Sequence, residues 1–244
     1  MRTVSIFLTG AVILLGQESQ RTFQFRQLQT APQFAEAATI IRSIAEIRDL
    51  TVDANTKTMT IRGNQGQAAL AEWLFNKIDR LVGSGPIPDA PQLDYRLALD
   101  KDDMVRIFYL KTALAPAVSQ EAAVITRSLI EIRRFLVSNA AGAFVVRGTR
   151  EQMDAARWLV EALDRQSFAG AANEYRITGS AGEDTIRLFL VSKFGSAKEL
   201  QNFAVDMRQA TQIRRVFVYN PLRVIAVRST PAQVKQAESI VNKL

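Results

Sequence analysis

The chain has 244 residues, of which 48% are hydrophobic, and it carries a formal net charge of +7. It contains no cysteine and no histidine, which excludes disulfides, thiolate nucleophiles, imidazole bases and the usual zinc, copper and haem ligands. Catalysis would need carboxylate pairs or Lys or Ser–Lys chemistry, and no spacing in the sequence singles out such a group. We therefore expect a non-enzymatic protein without a cofactor or a metal.

Residues 1–20 have the pattern of a secretory signal peptide. Arg2 provides a basic start, residues 3–16 form an apolar run, and residues 17–20 are polar. The run of 14 residues is short for a transmembrane helix, which needs about 20. We expect export to the periplasm and no transmembrane span in the mature chain. Because the cleavage site lacks an Ala-x-Ala pattern, an uncleaved anchor is the alternative.

The rest of the chain reads as a tandem array of one small module. Glu46-Ile-Arg recurs 85 residues on as Glu131-Ile-Arg, and Ile132-Arg-Arg recurs a further 81 residues on as Ile213-Arg-Arg. Stretches rich in Gly, Pro and small residues separate the copies. The predicted repeats, called repeats 1, 2 and 3, and the linkers between them are 21–82, 83–92, 93–166, 167–172 and 173–244. The three prolines of the first linker indicate a semi-stiff spacer, whereas the second linker is short enough for its neighbours to pack.

The second copy shows the elements of the module most clearly. Met104–Lys111 is rich in Val, Ile, Phe and Tyr, as in a strand, and a helix follows Pro116 with a cap expected near Ser119. Two short strands then flank a turn, and Thr149 begins a capping box at the start of a second helix. The predicted fold class is α+β: three tandem βαββα two-layer sandwich modules, with an extra leading strand in repeats 2 and 3. In the predicted first helix of repeat 3, Asp206 occupies a position that is apolar in the other two repeats, so this helix is expected to pack differently.

The segment from Ala143 to Asp164 carries a family resemblance. It has an apolar strand, a small residue with Thr, then Glu-Gln and a helix that ends in Leu-Asp, and Met59–Asp79 and Thr230–Leu244 are similar. This pattern resembles the short periplasmic N-domain of secretins, also called the NolW-like or bacterial type II/III secretion system short domain. The resemblance implies a KH-like or secretin N-domain-like module in an exported ring or scaffold. It also implies contacts with a secretin or with inner-membrane secretion components. A secretin ends in an outer-membrane barrel region that would not fit after Leu244, so we expect an accessory or a free-standing N-domain array.

Repeated arginines and tryptophans are the candidate interface residues. The candidates are Arg48, Arg133, Arg134, Arg214, Arg215, Trp73 and Trp158. The arginines follow the first helix of each module, so they are explained either by compensation of the helix dipole or by a ridge that pairs with an acidic face of the next subunit. The expected partner is therefore a second copy of the chain, in a ring or stack, or a component of a secretin system.

Two other functions stay open at this point. A KH-like array that binds nucleic acid fits the pI of about 10.0, and Gly63-Asn-Gln-Gly66 has the spacing of the KH loop. That loop joins two helices in KH domains but here joins a strand to a helix, so nucleic acid is the less favoured partner. The net charges of the repeats are +2, +1 and +5, which favours an acidic partner near repeat 3. The other open function is a folded periplasmic spacer that does not self-assemble.

Overall fold

The computed structural model describes residues 19–87, 93–97, 103–165, 173–177 and 184–244. The predicted signal segment up to residue 18 lies outside the described residues, as do residues 88–92 of the first linker and all of the second linker. The first strand begins at Ser19, two residues before the predicted start of repeat 1.

The elements follow the predicted order in each repeat. Repeat 1 contains β1 (Ser19–Gln24), α1 (Ala31–Ile44), β2 (Asp49–Asp53), β3 (Thr58–Gly63) and α2 (Gln65–Ile78). Repeat 2 contains β4 (Asp94–Arg96), β5 (Met104–Tyr109), α3 (Pro116–Ile130), β6 (Arg134–Ser138), β7 (Ala143–Gly148) and α4 (Arg150–Leu163). Repeat 3 contains β8 (Glu174–Arg176), β9 (Thr185–Leu190), α5 (Ala197–Thr211), β10 (Arg215–Tyr219), β11 (Val224–Ser229) and α6 (Pro231–Val241).

Each repeat forms one small antiparallel sheet. The strand order is β1-β3-β2 in sheet 1, β4-β5-β7-β6 in sheet 2 and β8-β9-β11-β10 in sheet 3. The extra strands β4 and β8 are the leading strands predicted for repeats 2 and 3. The predicted α+β fold class, with its repeated βαββα modules, is therefore confirmed.

Local sequence sets the helix ends. The Asn64 and Thr149 side chains each accept a hydrogen bond from the backbone N–H three residues on, as the capping boxes predict. The expected cap near Ser119 is wrong: α3 already begins at Pro116, because proline fits the first helical turn, and Ser119 is buried inside the helix. Just after α1 and α3, Glu46 and Glu131 adopt φ of 56° and 61°, and this left-handed conformation ends each helix.

The repeats stack face to face. Helix α1 packs on β2 of its own sheet and also on β6 and β7 of sheet 2, and α3 contacts both β6 and the strands β10 and β11 of sheet 3. Sheets and helix layers therefore alternate along the stack. Both faces of sheet 2 are covered, so Ile107 and Val145 join the core of repeat 1 while Phe144 joins the core of repeat 2. Burial of the outer face of α1 against sheet 2 holds repeats 1 and 2 together.

The two ends of the stack are more polar than its junctions. On the face of sheet 1 that no other described repeat covers, Thr51 pairs with Thr60, whereas the equivalent pair on the covered face of sheet 2 is Leu136 with Val145. At the other end, Asp206 of α5 is exposed, whereas its counterpart in repeat 2, Ile125, is buried.

Candidate interface

A glutamate clamp joins repeats 1 and 2. The carboxylate of Glu46, placed by the left-handed residue after α1, forms ion pairs with Arg134 and with Arg147, the latter at 3.4 Å. Arg147 also donates to the backbone carbonyl of Ile44 at 2.8 Å and to Asp103 at 2.5 Å. The hydrogen bonds to Asp103 are the main reason that the pKa of Arg147 is raised. Only 10% of the Arg147 side chain is exposed, so this guanidinium lies inside the junction.

The same clamp joins repeats 2 and 3. Glu131 forms ion pairs with Arg215 and with Arg228, the latter at 3.3 Å. Arg228 donates to the backbone carbonyl of Leu129 at 2.7 Å, as Arg147 does to its counterpart in repeat 1. The two junctions therefore repeat one arrangement.

A second glutamate holds the strand turn of the next repeat. Glu36 in α1 accepts hydrogen bonds from Ser138 Oγ and from the backbone N–H of Ala140, both at 3.1 Å. In α3, Glu121 accepts hydrogen bonds from the backbone N–H and the side-chain amide of Asn220, both at 3.0 Å. Each repeat thus reaches the next sheet through two carboxylates, one on its first helix and one just after that helix.

The two tryptophans lie at the same junctions. Trp73 in α2 packs on Tyr95 of repeat 2, and Trp158 in α4 packs on Tyr175 of repeat 3, each with ring centroids 5.4 Å apart. Both indoles are half-buried. Tilted ring pairs at this distance stabilise an interface beyond the area that they bury. In this chain the tryptophans anchor one repeat to the next.

The structure divides the predicted interface residues into two groups. Four of them, Arg134, Arg215, Trp73 and Trp158, contact the neighbouring repeat of the same chain. The other three, Arg48, Arg133 and Arg214, are exposed and form no ion pair or side-chain hydrogen bond with another described residue. That any of the seven contacts another subunit stays a prediction.

The exposed arginines follow one another along one side of the stack. Arg48 lies two residues after Glu46, and the clamp brings Glu46 to Arg134, the neighbour of Arg133. The second clamp brings Glu131 to Arg215, beside Arg214, in the same way. We call Arg48, Arg133 and Arg214 the arginine row. Beside its middle member is a groove of about 340 Å³ whose lining includes Arg133, Glu131 and Arg147.

The sequence contains a signal for the clamps in the spacing of its glutamates. Glu36 and Glu46 recur as Glu121 and Glu131 in repeat 2, but the matching positions of repeat 3 are Asn202 and Gln212. Carboxylates occur at these positions in the two repeats whose helices meet a following sheet. Repeat 3, whose helices meet no further sheet within the described residues, has neutral amides there.

The loop with KH-like spacing joins a strand to a helix, as predicted. Gly63 is the last residue of β3, Asn64 is the N-cap, and α2 begins at Gln65. Among the residues described, no cluster of acidic side chains is arranged to hold a metal ion. No helix in the same part of the chain is both long enough and apolar enough to cross a membrane.

Comparisons with known proteins give two kinds of structural similarity. No protein-family model and no curated protein matches the chain. ExeD from Aeromonas hydrophila is similar over 93% of this chain and 41% of its own, at 14% identity and a TM-score of 0.22. The pilotin–secretin AspS–GspD complex from ETEC is similar over 93% of this chain and 38% of its own, at 14% identity and a TM-score of 0.22. This chain thus spans about two fifths of those proteins.

The second kind of similarity is to Dim2p from Pyrococcus horikoshii. It covers 62% of this chain and 94% of Dim2p, at 16% identity and a TM-score of 0.33. Dim2p is also similar in its structure with a/eIF2alpha and rRNA, at 14% identity and a TM-score of 0.33. At these identities, the similarities concern the fold alone.

Proposed function

We propose that this protein is a non-enzymatic, exported protein–protein interaction module. In this proposal it is a periplasmic component or accessory of a secretin-type system that serves type II or type III secretion or a type IV pilus. The observation that carries the proposal is the arginine row on a continuously packed stack. Three modules that are fixed to one another present one arginine each at the same position, which suits a partner that contacts several modules at once.

The resemblance of the modules to secretin N-domains supports the secretin part of the proposal. The motif of an apolar strand, a Thr or Asn cap and a helix coincides with β7 and α4 in repeat 2 and with β11 and α6 in repeat 3. The apolar run that follows Arg2 in the sequence supports export.

Nucleic-acid binding is the second candidate, and the net charge of +7 favours it. The position of Gly63 and Gly66 argues against the KH form of this function, because the loop connects β3 to α2 and begins a capped helix.

The test determines where the full chain is located in its own cells and which proteins it binds there. The tagged chain is localised by fractionation, and its complexes are then isolated after mild cross-linking and identified by mass spectrometry. The proposal predicts that the chain is periplasmic and is linked to a secretin or to an inner-membrane secretion component. Recovery from the cytoplasm together with RNA would contradict it and favour the second candidate. A periplasmic chain linked to no such component, and monomeric by light scattering, would indicate the spacer function.

A further inference from the structure

We infer that the arginine row is a docking surface for an acidic protein other than a second copy of this chain. The inference rests on the proposed function only in taking a protein as the partner. It is carried by the charge of the row, which is unpaired among the described residues, by the gradient of that charge along the stack, and by the internal use of the recurring acidic positions.

The row is the part of the repeated arginine set that forms no ion pair or side-chain hydrogen bond with another described residue. Arg134 and Arg215 are turned into the junctions, whereas the preceding residues, Arg133 and Arg214, point to solvent because side chains alternate at the start of a strand. Exposed guanidiniums suit bidentate pairing with carboxylates of a partner.

The local charge around the row increases toward repeat 3. Arg48 is followed by Asp49, which lies 3.9 Å from Arg62. Arg133 is near Glu131, which is committed to the second clamp. Arg214 follows Gln212, where the other repeats have a glutamate. An acidic partner is therefore held most strongly at repeat 3, which also has the largest net charge, and least at repeat 1.

A second copy of the chain does not match the row. Four acidic positions are shared by repeats 1 and 2, those of Glu18, Glu36, Glu46 and Asp79. Glu36 and Glu46 are used within the first junction, and Asp79 accepts hydrogen bonds from backbone N–H groups of its own repeat. In repeat 3 the positions of Glu36 and Glu46 hold Asn202 and Gln212. The position of Glu18 is acidic in all three repeats, and its member in repeat 2, Asp103, is bound to the buried Arg147. The ends of the stack also lack the clamp, because Asp49 replaces the first clamp arginine in repeat 1 and Gln212 replaces the glutamate in repeat 3.

A single-stranded nucleic acid is a poorer match than a protein. Proteins that bind such strands combine a basic groove with aromatic side chains on which the bases stack. The two tryptophans are engaged with tyrosines at the junctions. In the described part of the chain, the large apolar side chains that are exposed are all aliphatic.

The test compares two variants of the full chain that lose the same charge. R48A/R133A/R214A removes the row, and the matched control R26A/R150A/K235A removes one exposed basic residue from each repeat outside the row. Binding is measured to poly-L-glutamate, as a probe of carboxylate-rich protein surfaces, and to polyuridylate of equal charge. Thermal melting followed by circular dichroism checks that both variants are folded. A third variant, R48K/R133K/R214K, tests whether positive charge alone is sufficient for binding.

We expect the row variant to bind poly-L-glutamate at least tenfold more weakly than the wild type, and the control less than threefold more weakly. The single substitutions should follow the charge gradient, with the largest loss at Arg214 and the smallest at Arg48. Equal losses in the two triple variants would overturn the docking surface, as would a row variant that loses polyuridylate binding more than poly-L-glutamate binding. Wild-type self-association that disappears in the row variant would overturn the choice of a foreign partner. None of these results changes where the chain is located or what it is cross-linked to in cells, so failure of the docking surface is distinct from failure of the proposed function.

Discussion

Replacement of the buried clamp arginine, Arg147→Leu, tests the junction between repeats 1 and 2. The change leaves the Ile44 carbonyl without its donor, which costs about 1–3 kcal/mol for a buried group. It also removes the partner of Asp103, whose side chain is 26% exposed, so the loss is smaller than the roughly 3–5 kcal/mol of a fully buried pair. The pair with Glu46, which is 50% exposed, adds at most about 1 kcal/mol. We expect the free energy of unfolding to fall by about 3 kcal/mol in total.

The chain offers a matched control for this substitution. Arg62 occupies the same position in sheet 1, on a face that no other described repeat covers, and its side chain is 59% exposed. Arg62→Leu should therefore change stability by less than about 0.5 kcal/mol. Arg228→Leu should cost as much as Arg147→Leu, because Arg228 is 6% exposed in the second junction. The assay is urea unfolding followed by circular dichroism and by the fluorescence of Trp73 and Trp158, which lie at the two junctions. A loss at Arg62 as large as the loss at Arg147 would refute the clamp.

Two further predictions concern the covered sheet face and a buried tyrosine. Val145→Thr should lower the free energy of unfolding by about 2 kcal/mol, because it buries a hydroxyl in the first junction. The reverse change at the equivalent position of sheet 1, Thr60→Val, should change the free energy of unfolding by less than about 0.5 kcal/mol. If urea unfolding shows similar losses of stability for Val145→Thr and Thr60→Val, the outer face of sheet 2 is not covered. Burial, followed by the charges of Glu121 and Asp164, raises the pKa of Tyr219 to about 12. The folded state therefore favours the neutral phenol of Tyr219. The stabilisation that the neutral phenol provides is complete below pH 10 and is lost as the pH rises toward 12, which lowers the free energy of unfolding by about 3 kcal/mol at most. Unfolding of the wild type and Tyr219→Phe at pH 9.5 and 11.5 checks this, and an equal fall in both proteins would contradict it.

The modules were predictable because their signals are local. The capping boxes at Asn64 and Thr149, the apolar strands and the turn residues each determine a few residues of backbone, and the structure places helices and strands where these signals indicate. The misplaced cap at Ser119 arose because Pro116 can begin a helix without a side-chain cap.

The stacking was harder to predict because it depends on contacts between distant residues. Strand β5 is buried on both faces, and its apolar run indicates double burial without indicating what covers each face. The adjacent residues Arg133 and Arg134 have the same chemistry, and only the pleat of β6 decides which of them enters the junction. The sequence likewise shows that Trp73 and Trp158 are equivalent, but a contact between repeats and a contact between subunits leave the same pattern.

The central claim is that the three repeats form one fixed stack that presents the arginine row on one side. Because the chain has no native cysteine, spin labels can be attached at single cysteines introduced at positions 48, 133 and 214. Pulsed electron spin resonance on the pairs 48–133, 133–214 and 48–214 then measures the distances along the row. The account predicts narrow distributions, with similar distances for the first two pairs because the two clamps are equivalent, and a longer distance for the third. Broad distributions, as for modules that move independently on their linkers, would contradict it.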